Sequence, residues 1–243
     1  MNDGSSMFIN NLVIDTCYCM EILLMYLIPC VMILIAIRLF TKLPSFIFRK
    51  LLHIVAFTAV TLMILAARSW QSAVLTSIVI AVVVYPILAF FEQKKWYAHF
   101  FVQKTSGEIK KSLLLLFCMF AVLIAVCWGI FDKPEVAAMS IIMWGNGDAA
   151  AALIGTPFGR HKVKSSFADG KKSWEGSCAM LIVSFISGLF ILLMTSSITV
   201  MTSIFVSIIC AVVGTAVELF TPSEYDTVTV PAAIAFICLI IYP

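Results

Sequence analysis

The chain has 243 residues, of which 62% are hydrophobic and only 12% charged, with a mean hydropathy of +1.08. That balance excludes a soluble domain of this length. The net charge of +3 is ordinary for a membrane protein and gives no reason to invoke nucleic acid as a partner.

A bilayer core about 30 Å thick takes roughly 20 apolar residues of helix, and that length sets the reading along the chain. Residues 1–18 carry Asp3 and Asp15 and lack the basic start of a signal peptide, so they are expected to remain as a short extracytoplasmic tail. Membrane spans are expected over 22–37, 51–67, 73–91, 112–131, 136–155, 176–197 and 198–219. The last apolar stretch, 228–242, rises only about 22 Å as a helix, so it spans with help or lies re-entrant. The expected fold is all-α: a polytopic transmembrane helical bundle of seven to eight segments, forming one domain over 1–243.

The basic residues orient these spans, because Lys and Arg collect in cytoplasmic loops. Arg38, Lys42, Arg49 and Lys50 fall in the first loop. Lys94, Lys95, Lys104, Lys110 and Lys111 fall in the third, and Arg160, Lys162, Lys164, Lys171 and Lys172 in the fifth. Only Arg68 and Lys133 lie in even-numbered loops, so the odd loops are expected in the cytoplasm and the N-terminus outside. The eight cysteines sit mostly inside spans and form no CxxC pair, which argues against zinc or a disulfide framework.

The most informative stretch is 144–176, WGNGDAAAALIGTPFGRHKVKSSFADGKKSWEG. Asp148 lies in an apolar span, where an acid is costly unless it faces a polar cavity or a basic partner. Gly145 and Gly147 flank Asn146 just before it, so the backbone is expected to loosen there and line a cavity. The alternative is a packing face of small residues, with Asp148 paired to a base. The loop beyond has an anion cradle's composition: Gly155, Gly159, Gly170 and Gly176 among Arg160, Lys162, Lys164, Lys171 and Lys172. The same cations would serve topology or anionic lipid alone. GKKS is not the end of a Walker loop, because Lys172 stands where that motif needs Ser or Thr.

The run GDAAAALIGTPFGR followed by GKKSWEGS resembles the CTP-dependent polyprenol and lipid kinases, the dolichol, phytol and diacylglycerol kinases. RKLLH at 49–53, SGE at 106–108 and GTAVELFTPSEYDTVTVP at 214–231 fit the same family in the same order. The central block also resembles phosphatidate cytidylyltransferase, but that enzyme's long HGGxxDRxD block has no counterpart here. One departure from the kinase pattern is Thr227 where the family has Asn after the aspartate.

The resemblance implies transfer of the γ-phosphoryl group of CTP to the hydroxyl of a lipid alcohol, a polyprenol, a phytol-like alcohol or diacylglycerol. It implies Mg²⁺ as cofactor, with Asp148, Glu218 and Asp226 as candidate ligands. Asp148, Lys172 and Asp226 are then the candidate catalytic residues. Asn146, Arg160, Lys171, Lys172 and Ser173 are candidates for the nucleotide phosphates, helped by N–H groups at the start of the sixth span. Arg49, Lys50, His53, Glu108 and Glu175 are candidates for the headgroup or nucleotide. Simpler roles compete: a helix cap for Ser173, snorkelling for Glu218, topological anchoring for Arg49 and Lys50, and packing for His53. A transporter with Asp148 in its substrate path is a further alternative, although the first half of the chain shows no matching glycine-interrupted acidic span.

Overall fold

The computed structural model describes residues 2–41, 43–92, 108–163, 172–222 and 225–242, without the side chains of 2–5 and 108–110. The regular elements among them are helices, apart from one isolated antiparallel bridge between Lys162 and Ser173. They are α1 (Asn2–Phe40), α2 (Ser45–Ala66), α3 (Trp70–Phe91), α4 (Glu108–Leu123), α5 (Pro134–Phe158), α6 (Trp174–Thr195), α7 (Val200–Phe220) and α8 (Asp226–Ile241). A π-helical segment, Ile124–Ile130, continues α4. Seven of these segments are long and apolar enough to cross a membrane, and the protein is an all-α polytopic bundle. Helix α8, with 16 residues, is the short one.

Local chemistry sets the boundaries. Ser69, Ser173 and Thr199 cap α3, α6 and α7 by accepting hydrogen bonds from Ser72, Gly176 and Thr202 N–H. Pro134 starts α5, where its missing N–H costs nothing, and Asp132 makes the preceding turn at φ 53°, a conformation an aspartate tolerates. The leader at residues 1–18 is itself helical from Asn2, as the first part of the 39-residue α1. It is tied to the α2–α3 turn by Asp15, 3.4 Å from the Arg68 guanidinium, which also lies 4.7 Å over the Tyr18 ring.

Helix α5 is the centre of the bundle: 67% of its apolar window is buried, and α2, α6 and α8 pack directly against it. Because the helices alternate in direction, two ends are distinct. One end gathers Arg38, Lys50, Arg160, Lys172, Glu218 and Asp226; the other holds Asp15, Arg68 and the Lys133 to Tyr242 contact.

The backbone does not loosen at Gly145–Asn146–Gly147. Helix α5 runs unbroken through it, and the glycines serve close packing instead. A Cβ on Gly145 would overlap the Phe57 ring, and one on Gly147 would overlap Ser184 Oγ. Phe57 is itself held edge-on to Phe120 and Trp144, with ring centroids at 5.1 and 4.7 Å. Small residues let the α2 and α6 side chains approach the α5 backbone, which is how helices associate when hydrocarbon surrounds them. Gly145→Ala is therefore expected to cost about 1–3 kcal/mol by overpacking, read as a lower unfolding midpoint of the detergent-solubilised protein.

Candidate active site

Apart from Glu108 on α4, the expected site residues among those described lie on or beside α2, α5, α6, α7 and α8, and the order of the chain brings them to one end of the bundle. Lys50 and His53 sit one turn apart on α2 and meet Asp148 on α5. Lys50 Nζ donates to Asp148 Oδ2 at 2.7 Å, and His53 Nε2 stands 3.3 Å from the same oxygen without alignment for a hydrogen bond. The His53 ring stacks on Phe57 at 4.2 Å. Of the two readings of Asp148's surroundings, the face of small residues with a basic partner is the one met here, and the other acids stand near it. Its charge is felt at both Glu218 and Asp226.

The second ion pair joins α6 to α7. Lys172 Nζ lies 3.0 Å from Glu218 Oε1, with the two side chains only 8% and 11% exposed. The same ammonium donates to the Glu218 carbonyl and, at 2.8 Å, to the Thr221 carbonyl. A lysine has three N–H donors, and here all three face the C-terminal end of α7, a favourable place for a cation. Lys172 thus clamps the α7–α8 turn to the start of α6. Asp226 follows that turn as the first residue of α8. Burial, and next the charge of Asp148, push its carboxyl up to about 6.

Between these groups lies a cavity of about 170 Å³. Ala151, Gly155 and Thr156 of α5, Ser173 and Gly176 at the start of α6, Lys172, Glu218 and Asp226 line it. Gly155 and Gly176 make the walls thin: a Cβ on Gly176 would stand 2.8 Å from the Ala151 carbonyl. The volume suits phosphate groups rather than a whole nucleotide, since complete small-molecule sites run from about 300 Å³ upward.

Other expected residues have local duties. The Ser173 hydroxyl, 3% exposed, accepts from Gly176 N–H at 3.3 Å as the cap of α6. Ser173→Ala is expected to cost about 1 kcal/mol of stability by loss of that cap; a loss of turnover beyond about tenfold would place the hydroxyl on phosphate as well. Glu175 accepts from His161 N–H at 3.1 Å and lies 2.7 Å from His161 Nδ1, fastening the turn after α5. The N–H of Trp174 goes to the His161 carbonyl. The start of α6 therefore spends its first donors within the protein, and less remains for phosphate than the sequence implied. Asn146 gives its amide N–H to Ser187 Oγ at 3.1 Å, and its buried Oδ1 has no partner. Arg49 and Arg160 are exposed. Lys171 lies outside the described residues, as do Lys42, Lys94, Lys95, Lys104 and Lys164; Glu108 opens α4, but its side chain is not described.

Among the described residues, no three of His, Cys, Asp and Glu stand close enough to make a metal cage by themselves. Glu218 and Asp226 fit a different arrangement, one or two carboxylates with phosphate oxygens and water completing the shell, which is how Mg²⁺ is usually held, while Asp148 is engaged by Lys50. Glu218 and Asp226 face one cavity, and the crowding of negative charge on Asp226 is the condition a divalent cation relieves. Sequence reasoning missed Thr156 and the Lys50 to Asp148 pair. The need of an intramembrane acid for a base was the one signal pointing to that pair.

The chain is 33% identical over 104 residues to a phytol kinase of Synechocystis sp.. The matched stretch spans 43% of this chain and 43% of that relative, less than half the length of each. No protein-family profile matches the chain, and no solved structure does. The match supports a relationship to the polyprenol and phytol kinases that the central and C-terminal motifs resemble.

Proposed function

We propose that this protein is a membrane kinase that transfers the γ-phosphoryl group of CTP to the hydroxyl of a lipid alcohol, of the phytol or polyprenol class or diacylglycerol. The observation that carries this reading is the convergence of Lys172, Glu218 and Asp226 on one polar cavity at one end of an apolar bundle, with the Lys50–Asp148 pair close enough for the Asp148 charge to act on both carboxylates. The similarity to a phytol kinase supports it. On this reading the cavity end faces the cytoplasm, in keeping with its excess of Lys and Arg.

Phosphoryl transfer is mostly positioning and charge neutralisation. The lipid hydroxyl oxygen attacks the γ-phosphorus, the bond to the β–γ bridging oxygen breaks, and CDP leaves. The hydroxyl proton passes to a carboxylate facing the cavity, Glu218 or Asp226. Mg²⁺ would neutralise the phosphate oxygens; whichever of Glu218 and Asp226 does not take the proton would hold it, with Asp148 joining once Lys50 turns to phosphate. Lys172 sets the geometry of both cavity carboxylates through its hold on the α7 end. The unbroken α5 gives the transporter alternative no discontinuous helix to use.

The test is to incubate the purified protein in vesicles with CTP labelled at the γ or the α phosphate, Mg²⁺, and a panel of lipid alcohols and phosphatidate. Label moving from the γ position to an alcohol is the expected result. Label moving from the α position to a CDP-lipid would replace the kinase by a cytidylyltransferase, and no transfer at all would end the enzymatic reading.

A further inference from the structure

We propose that the groove between α4, with its π-helical continuation, and α8 seats the hydrocarbon tail of the lipid alcohol; this inference rests on the kinase reading above. The groove encloses about 350 Å³, at the small end of ordinary ligand sites, which begin near 300 Å³. Its walls are apolar throughout: Met119, Val126 and Phe131 stand on one side, and Ala232, Ala235 and Phe236 on the other. The two alanines leave the space on the α8 side. Val126 belongs to the π-helical segment, an irregularity frequent at functional sites.

The occupant follows from chemistry and place. A non-helical peptide segment would bring backbone polar groups that this wall cannot satisfy in hydrocarbon, whereas an alkyl or prenyl chain brings none. The groove also shares a helix with the polar cavity. Val228, Ala232, Ala235 and Leu239 are spaced i, i+4, i+7 and i+11, one stripe along α8. Val228, 37% exposed, is two residues from Asp226, so the stripe reaches the turn at which Asp226 meets the cavity. Ala232 lies about 9 Å along the helix from Asp226 and Ile240 about 21 Å. A lipid with its hydroxyl at the cavity would therefore have its tail alongside this stretch. Phe236 and Ile240, 64% and 63% exposed, leave the groove open to the bilayer for entry.

The test uses the full chain in phosphatidylcholine nanodiscs with a long isoprenoid alcohol carrying a diazirine near its tail end. Irradiation is expected to label residues 119–131 and 232–240, and unlabelled long-chain alcohol is expected to compete the label away. Label spread evenly over lipid-facing positions such as Ile182 and Ile186, or label that does not compete, would mean bulk lipid only and overturn the proposal. In parallel, Ala235→Trp fills the groove. It is expected to lower kcat/KM about tenfold or more for the long alcohol, and less than about twofold for a short, water-soluble prenyl alcohol. Ile186→Trp, on a lipid-facing surface outside the groove, is expected to change neither. Equal loss for both alcohols, or no loss for the long one, would overturn it. If the unmodified protein phosphorylates no alcohol, the kinase reading fails, and the photolabelling alone decides whether the groove holds such chains.

Discussion

Lys172→Ala is expected to abolish CTP-dependent phosphorylation and to lower stability by about 3–5 kcal/mol, the usual consequence of removing one partner of a buried ion pair. The Glu218 side chain, 11% exposed, would keep a charge with nothing to neutralise it, while the Glu218 and Thr221 carbonyls would lose their shared donor. Because those carbonyls end α7 just before Asp226, the loss should spread to the position of the first turn of α8. Thermal unfolding in nanodiscs and single-turnover transfer from γ-labelled CTP measure the two effects separately. The double variant Lys172→Met with Glu218→Gln is expected to regain most of the stability, since a buried pair is replaceable by uncharged groups, and none of the activity. Activity in the double variant would remove both residues from the site and leave them only a structural bond.

Asp148→Asn is expected to reduce turnover a thousandfold or more, about 4 kcal/mol of transition-state stabilisation. Inserted protein should still accumulate, because α5 packs against α2, α6 and α8 through apolar contacts that the substitution leaves alone. The variant leaves Lys50, 16% exposed, without its carboxylate, so some loss of stability accompanies the kinetic loss. Pairing Asp148→Asn with Lys50→Met separates the two, as it removes the stranded ammonium. Stability should then recover while turnover stays lost. Near-normal turnover in that double variant would show that Asp148 serves only to neutralise Lys50, as on an ordinary packing face.

The membrane architecture was legible in the sequence because burial in hydrocarbon is a property of each segment alone. Seven stretches of sufficient length and apolarity and a shorter eighth were expected, and among the described residues seven helices of that kind and one shorter apolar helix are present. Caps were readable for the same local reason, as with Ser173 ahead of Trp174 and Glu175. The glycines before Asp148 misled, since a glycine that loosens a helix and one that admits a neighbouring ring look alike until the neighbour is known. Phe57 is 88 positions away from Gly145 in the chain, about as far as Lys50 is from Asp148, a separation of 98.

The residue types at the polar end were thus set by composition and motif: an acid inside a span, a lysine pair before a helix cap, and carboxylates near the end of the chain. Their pairing was decided only by the tertiary structure. Charges in a low-dielectric bundle choose the partner that folding brings within about 3 Å, and that choice depends on how whole helices cross. So the sequence alone could name Lys172 as a cation near phosphate, but only the crossing of α6 over the end of α7 made it the clamp on Glu218. Likewise, the acids were visible one by one, while the cavity that Glu218 and Asp226 share exists only because Gly155 and Gly176 let α5 and α6 close to van der Waals contact.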